Sequence, residues 1–280
     1  MPERHTLELT GRASSATVRP RALRGRTAGR HAPVRIGGLP ITAATLAEAA
    51  DHMVEAALAA RRRPGRPLYV TSANGQVIAL CHQDRAVRDL FLAADVIHAD
   101  GQPMVFASKI LCARPLPERV ATTDLVHDVM RRSGAAGLRH FLLGARPEVN
   151  ERAVEHLRHA YPDVPEIAGH HGYFRPAEED AVLDAIERFR PDVLWVALGV
   201  PLEQRFVMRN RERLASVGVI KTSGGLFDFL SHAKSRAPRF VQDVGLEWAW
   251  RLAQEPRRLG WRYLTTNPLA AWLLLSRSGD

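Results

Sequence analysis

The residue of this chain best placed to move a proton is Asp100, followed by Gly101 at the end of the short apolar run Val96-Ile97-His98-Ala99. A carboxylate at the carboxyl end of a strand faces the crevice where ligands of parallel sheets gather. The glycine beside it lets a ligand approach the backbone. An ordinary aspartate, with a pKa of about 3.9, is a weak base at neutral pH, so burial or hydrogen bonding must tune this one. A carboxylate that caps the following helix carries the same signature. A second feature is the strand-like Val217–Thr222 running into Gly224-Gly225 and the apolar Leu226-Phe227-Asp228-Phe229-Leu230. Paired glycines opening a helix let backbone N–H groups reach a phosphate.

Other strand ends supply neutral and charged partners for such a ligand. Ser72 and Asn74 end the strand Leu68–Thr71 and suit sugar hydroxyls, or cap a helix. Arg119, in the loop Pro115-Leu116-Pro117-Glu118-Arg119, suits a diphosphate gripped bidentately, or is a surface arginine. Gly144 and Gly199 end two further strands. Glu203 and Gln204 open the next helix and either bind hydroxyls or complement the helix dipole. Asp228, flanked by Phe227 and Phe229, reads as a structural carboxylate. No metal-ligand spacing joins the twelve histidines, and no metal or cofactor is expected. Walker A, Gly-x-Ser-x-Gly and Gly-x-Gly-x-x-Gly patterns are missing, which argues against P-loop phosphoryl transfer, serine hydrolysis and NAD chemistry.

The elements that must position these groups alternate regularly. Val34–Ile41 reads as a strand or hairpin and Thr42–Arg62 as a helix with a Thr cap. Strands are expected at 68–71, 96–99, 139–143, 166–169, 193–198 and 217–222. Helices are expected at 76–82, 86–94, 104–112, 148–160, 177–190 and 202–214, with Thr123 capping a further helix that runs to Arg132. This pattern predicts an α/β fold, a Rossmann-like parallel sheet with helices on both faces. Residues 34–230 form that core, and 231–280 form a small basic and aromatic helical appendage.

Charge is distributed unevenly over the 280 residues. Residues 1–35 hold eight arginines against Glu3 and Glu8, a net +6 out of the chain's +9. Residues 1–33 are expected to be a disordered Arg-rich tail. An anionic-surface tether and, at lower rank, an organellar transit peptide also fit. A nucleic-acid role is not expected, because no nucleic-acid fold accompanies the charge. No apolar run approaches the roughly 20 residues of a membrane span, and no secretory h-region opens the chain. Cys81 and Cys112 read as small buried hydrophobes of a reducing compartment. Four of the five tryptophans fall in the last 33 residues, among arginines, a composition suited to a membrane interface or to a helical cap on the sheet.

Taken in order, these segments resemble the WecG/TagA/CpsF family of bacterial glycosyltransferases (glycosyltransferase family 26). The carriers are Thr71-Ser72-Ala73-Asn74, Ala99-Asp100-Gly101, Pro115 to Val120, Leu198-Gly199-Val200-Pro201 and Gly224 to Ser231. Arg236-Ala237-Pro238, Gly245-Leu246-Glu247-Trp248 and Glu255-Pro256-Arg257-Arg258-Leu259 complete the set. The resemblance implies an inverting, metal-independent enzyme that moves an N-acetylhexosamine-type (ManNAc-like) sugar from a UDP donor. The implied acceptor is the 4-hydroxyl of N-acetylglucosamine on undecaprenyl diphosphate, in cell-surface polysaccharide or teichoic acid synthesis. Asp100 then matches the general base. Ser72, Asn74, Arg119, Gly144, Gly199, Glu203, Gln204, Gly224 and Gly225 fall on the donor side, and Arg236, Arg257, Arg258 and Arg262 clamp the lipid diphosphate. Such an enzyme works in the cytoplasm, peripheral on the anionic inner face of the plasma membrane; monomer and homo-oligomer are both left open. The family's usual Pro-x-Gln-Glu-x-Trp reads Pro201-Leu202-Glu203-Gln204-Arg205-Phe206 here, Thr122 stands where glycine is common, and His232 replaces another glycine. These departures bear on the donor more than on the reaction class. The alternative is a non-catalytic nucleotide-sugar-binding scaffold.

Overall fold

A computed structural model describes residues 32–279, so the expected Arg-rich tail falls almost entirely outside the described residues. The chain opens with an antiparallel hairpin, β1 (Pro33–Ile36) and β2 (Leu39–Thr42). Then come α1 (Leu46–Arg62), β3 (Leu68–Ala73), α2 (Gly75–Gln83), α3 (Arg85–Leu92), β4 (Val96–Ala99), α4 (Gln102–Leu111) and α5 (Thr122–Ala136). The second half runs β5 (Arg139–Gly144), α6 (Pro147–Ala160), β6 (Glu166–His170), α7 (Glu179–Phe189), β7 (Val193–Ala197), α8 (Leu202–Asn210), β8 (Val219–Thr222) and α9 (Leu226–Leu230). It closes with α10 (Arg239–Asp243), α11 (Glu247–Gln254) and α12 (Pro256–Ser276).

Six strands form one sheet in the order β4-β3-β8-β7-β5-β6, every neighbouring pair parallel. The inner strands are largely apolar and buried because both faces are covered, while the edge strand β6 is partly exposed. Val70, Leu142, Trp195 and Val219 point to one side, where α1, α5, α6 and α9 pack. Tyr69, Phe141, Leu143, Leu194, Val196 and Ile220 point to the other, against α7 and α8. The same face continues over β3 and β4 into a cluster shared by the hairpin, α2, α4 and α12.

Local signals place the elements closely, with informative exceptions. Thr42 belongs to β2, and α1 starts later at a capping box in which the Thr45 hydroxyl accepts from Glu48 N (3.2 Å) and the Glu48 carboxylate accepts from Thr45 N (2.9 Å). The helix expected behind a Thr123 cap begins instead at Thr122, with Ala121 at the cap position and no side-chain cap bond. The Thr122 hydroxyl is committed elsewhere, to Asp100. The helix expected to reach Leu214 stops at Asn210.

The segment beyond Leu230 is helical, and its last helix enters the core. In α12, Leu273 is fully buried and Leu274 nearly so, against α2 and α4. The chain then returns to the hairpin: Gly38 N donates to Arg277 O (2.9 Å) and Gly279 N to Arg35 O (3.1 Å). Leu273→Ala is therefore expected to lower the unfolding free energy by roughly 2–5 kcal/mol in a single urea transition. A separate early transition in the wild type would show α12 unfolding apart from the sheet.

Candidate active site

The four adjacent strands β4, β3, β8 and β7 bring their carboxyl ends to one rim, and a cavity of 410 Å³ opens there. Its floor is polar. Ser72 and Asn74 enter from the end of β3, Asp100 from β4, Ser223, Gly224 and Gly225 from β8, Glu203 from α8 and Thr122 from α5. Its roof comes from α10 to α12, through Gln242, Glu247, Trp248, Arg251, Tyr263, Asn267, Ala270 and Leu274. Asn74 also caps α2, its Oδ1 accepting from Val77 N at 3.1 Å.

Asp100 is not a helix cap. Gly101 holds that position before α4 and makes no side-chain cap bond, while Asp100 Oδ2 accepts from the Thr122 hydroxyl at 3.2 Å. Burial pushes the Asp100 carboxyl up to about 6, with Glu247 acting in the same direction. Lys221, Arg119 and the Thr122 hydrogen bond oppose the rise. That value gives a carboxylate that is mostly ionised at neutral pH yet far more basic than an exposed aspartate.

Glu203 and Gln204 have structural engagements that their sequence position does not reveal. Glu203 is 2% exposed, and its Oε2 accepts from Gly199 N (3.2 Å) and Gly224 N (2.9 Å). Gln204 Nε2 donates to Glu203 Oε1 at 3.2 Å, and Gln204 does not line the cavity. The expectation of a free N–H at Gly224 is thus corrected, since that group is already held by a carboxylate. Burial lifts the Glu203 carboxyl to about 7, against the Gly224 amide, Lys221, the Gly199 amide and Gln204, which all favour its ionised form. Gly224 has φ +54°, a left-handed turn that favours glycine.

Arg119, far from being a surface arginine, has only 12% of its side chain exposed and ties floor to roof. It donates to Glu247 (2.8 Å) and Gln242 (2.9 Å). Arg251 stands over the Phe229 ring, 5.2 Å from its centroid, and reaches toward Gly225. Several expected residues lie outside the cavity lining. Gly144 (φ +142°) ends β5 on the far side of β7, where a Cβ would run into the Ala197 carbonyl. Gly199 touches the site only through its amide. Arg236 grips Asp124 (2.7 Å) beside a second cavity of 670 Å³, from which Gln102, Arg119 and Gln242 separate the first. Arg257 is exposed, Arg262 lies over the ring of Tyr263 (5.1 Å), and the Arg258 side chain is outside the described residues.

The sequence reading missed Lys221, Glu247 and Arg251 as members of this site, and noted Thr122 only as a departure bearing on the donor. Lys221 left one signal, a lysine inside an otherwise apolar strand. Among the described residues no group of three or more His, Cys, Asp or Glu side chains is arranged to hold a metal ion. Glu203→Ala strips the acceptor from two part-buried amides and is expected to destabilise the protein by roughly 2–4 kcal/mol. Glu203→Gln, which keeps a carbonyl oxygen in place, is expected to recover most of that in thermal unfolding.

Comparison with known proteins gives the family. Residues 34–279 match the Glycosyl transferase WecG/TagA/CpsF family. Relatives from Staphylococcus aureus strains MRSA252, MW2 and NCTC 8325 / PS 47 are each 31% identical to this chain over 193 residues, 69% of this chain and 74% of the relative. All three are named N-acetylglucosaminyldiphosphoundecaprenol N-acetyl-beta-D-mannosaminyltransferase. With the match spanning nearly all of the described residues, the chain belongs to the WecG/TagA/CpsF family and is a glycosyltransferase.

Proposed function

We propose that this enzyme transfers an N-acetylhexosamine, ManNAc or a close relative, from a UDP donor to the 4-hydroxyl of N-acetylglucosamine carried on undecaprenyl diphosphate. The observation that carries the reading is one cavity holding a tuned carboxylate, Asp100, on a polar floor beneath an arginine-bearing roof. In the transfer the acceptor oxygen attacks the donor's C1 from the face opposite the diphosphate. The C1–O bond to the diphosphate breaks, UDP leaves with the electron pair, and the hydroxyl proton passes to Asp100. The new linkage is inverted. Ser72, Asn74 and the Gly224-Gly225 turn face the donor, while Glu203 and Gln204 shape that turn from beneath. Arg119 and Arg251 meet the leaving diphosphate, a role that needs no metal ion.

Asp100→Asn is expected to fold normally and lose roughly 10²–10⁴-fold in turnover, the range for one positioned general base. The wild-type kcat/KM is expected to rise with pH up to about 6 and then level off. Protonation below that value removes the base, so the rate falls about tenfold per pH unit on the acid side. The assay uses a panel of UDP-sugars, a short-chain diphospholipid N-acetylglucosamine and a chelator. Full activity of the Asn variant removes Asp100 from the mechanism; a strict metal requirement or a retained anomer removes the metal-free or inverting step.

The lipid tail of such an acceptor calls for a membrane-facing side. In α12, Trp261, Leu264, Trp272 and Leu275 recur at helical spacing and are all exposed, Trp261 by 78% and Leu264 by 72%. Arg257 and Arg262 lie on the same helix for headgroup phosphates. No helix among the described residues is long and apolar enough to cross a membrane. Trp261→Ser with Leu264→Ser is expected to cut sedimentation with phosphatidylglycerol vesicles several-fold. Unchanged binding would assign it to another surface, such as the N-terminal arginines.

A further inference from the structure

The ammonium of Lys221 is the buried charge that this mechanism leaves unused. It lies on β8 and is 0% exposed, beneath the cavity floor rather than in its lining. Its hydrogen bonds go to Ser72 Oγ (2.9 Å), the Thr222 carbonyl (2.7 Å) and Thr122 Oγ1 (3.4 Å). A buried cation is costly unless its surroundings need the charge. Here two carboxylates surround it, Asp100 from the end of β4 and Glu203 from the start of α8.

An ammonium can only donate, so the direction of the chain is set. Lys221 donates to the Thr122 hydroxyl, and that hydroxyl donates to Asp100 Oδ2. Ser72 bridges the same two groups, receiving from Lys221 and lying 3.2 Å from Thr122 Oγ1. The other charges facing Asp100 largely answer one another. Glu247, from α11, opposes its ionisation and is paired with Arg119, while Arg236 is paired with Asp124. Lys221 is the cation near Asp100 whose donors go to hydroxyls and a carbonyl instead of a carboxylate.

We propose that Lys221 is a positioning residue for the transfer, holding Asp100 ionised and aimed into the cleft through Thr122 and Ser72; this rests on the reading of Asp100 as the base. Lys221 is the largest influence opposing the upward push of burial on Asp100. Its own ammonium is drawn down to about 8 by burial, and Asp100 and Glu203 hold it up. Between those two values both groups are charged and the chain from Lys221 to Asp100 is intact. Below about 6 the base is protonated, and above about 8 its supporting charge is lost.

The test is a ¹³C-carboxyl NMR titration of aspartate-labelled protein, with the Asp100 resonance assigned through Asp100→Asn. In Lys221→Met the Asp100 midpoint is expected to rise by about one pH unit or more, and transfer at pH 6 to fall about fivefold or more beyond its fall at pH 8. The double variant Glu203→Gln/Lys221→Met removes the ammonium together with the buried carboxyl beside it, keeps an acceptor for the glycine amides, and is expected to show the same rise if the single variant does not fold. Thr122→Val, which cuts only the hydroxyl link, is expected to raise the midpoint by less. An unchanged Asp100 midpoint in any folded Lys221 variant, or in Thr122→Val should neither Lys221 variant fold, overturns the proposal. Absence of transfer by the wild type would overturn the reading of Asp100 as base, while the titration, which needs no turnover, still reads the linkage.

Discussion

The Glu203 carboxylate holds two neighbouring loops at once, taking the amide of Gly199 after β7 and of Gly224 after β8 on a single oxygen. Everything on the cavity floor is measured from that clamp. It draws the ends of two parallel strands together and turns the glycine segment toward the cleft. It also fixes where α9 starts, with Leu226 and Phe227 packing under the sheet. A carboxylate taken this far from water is stable only where hydrogen bonds and an opposite charge replace its hydration. The backbone amides supply the first and Lys221 the second. The same lysine faces Asp100, so the structural clamp and the carboxylate at the end of β4 share one cation.

The frame of the molecule was legible because each strand announces itself as a short apolar run and each helix by its periodicity. Both are local properties, and the order of strands and helices along the chain is as expected. Asp100 and the paired glycines were legible for a related reason: strand ends in a parallel sheet have one place to go. The roof was not, because its contacts join residues more than a hundred positions apart. Arg119 meets Glu247 and Gln242 across the whole second half of the chain, and no spacing rule connects them. Gly144 shows the opposite failure. It ends a strand just as Gly224 does, yet β7 separates it from the rim, and its missing Cβ serves close packing against Ala197. Thr122 and Thr123 differ by one position, and only the three-dimensional placement of Asp100 decides which hydroxyl matters.

The roof carries rings and apolar side chains beside its own polar Gln242, Glu247 and Asn267. Below, hydroxyls, amides and carboxylates line the rim. Above, Trp248, Tyr263, Ala270 and Leu274 present rings and small apolar side chains, with Arg251 among them. Because Leu273 and Leu274 of α12 are also part of the core, the apolar wall is anchored to the sheet rather than hung from a linker.

The closing contacts between the hairpin and the last residues have a topological meaning. Arg35 and Gly37 hydrogen-bond with Gly279 and Ser278, so the two ends of the described body lie side by side at one corner. A short peptide could join them, and the chain could be reopened in a surface loop to give a circular permutant with the same sheet order. The hairpin thus packs against the end of α12, the helix that carries the exposed Trp272 and Leu275, so the first described strand and the last helix, far apart in sequence, meet at one edge of the molecule.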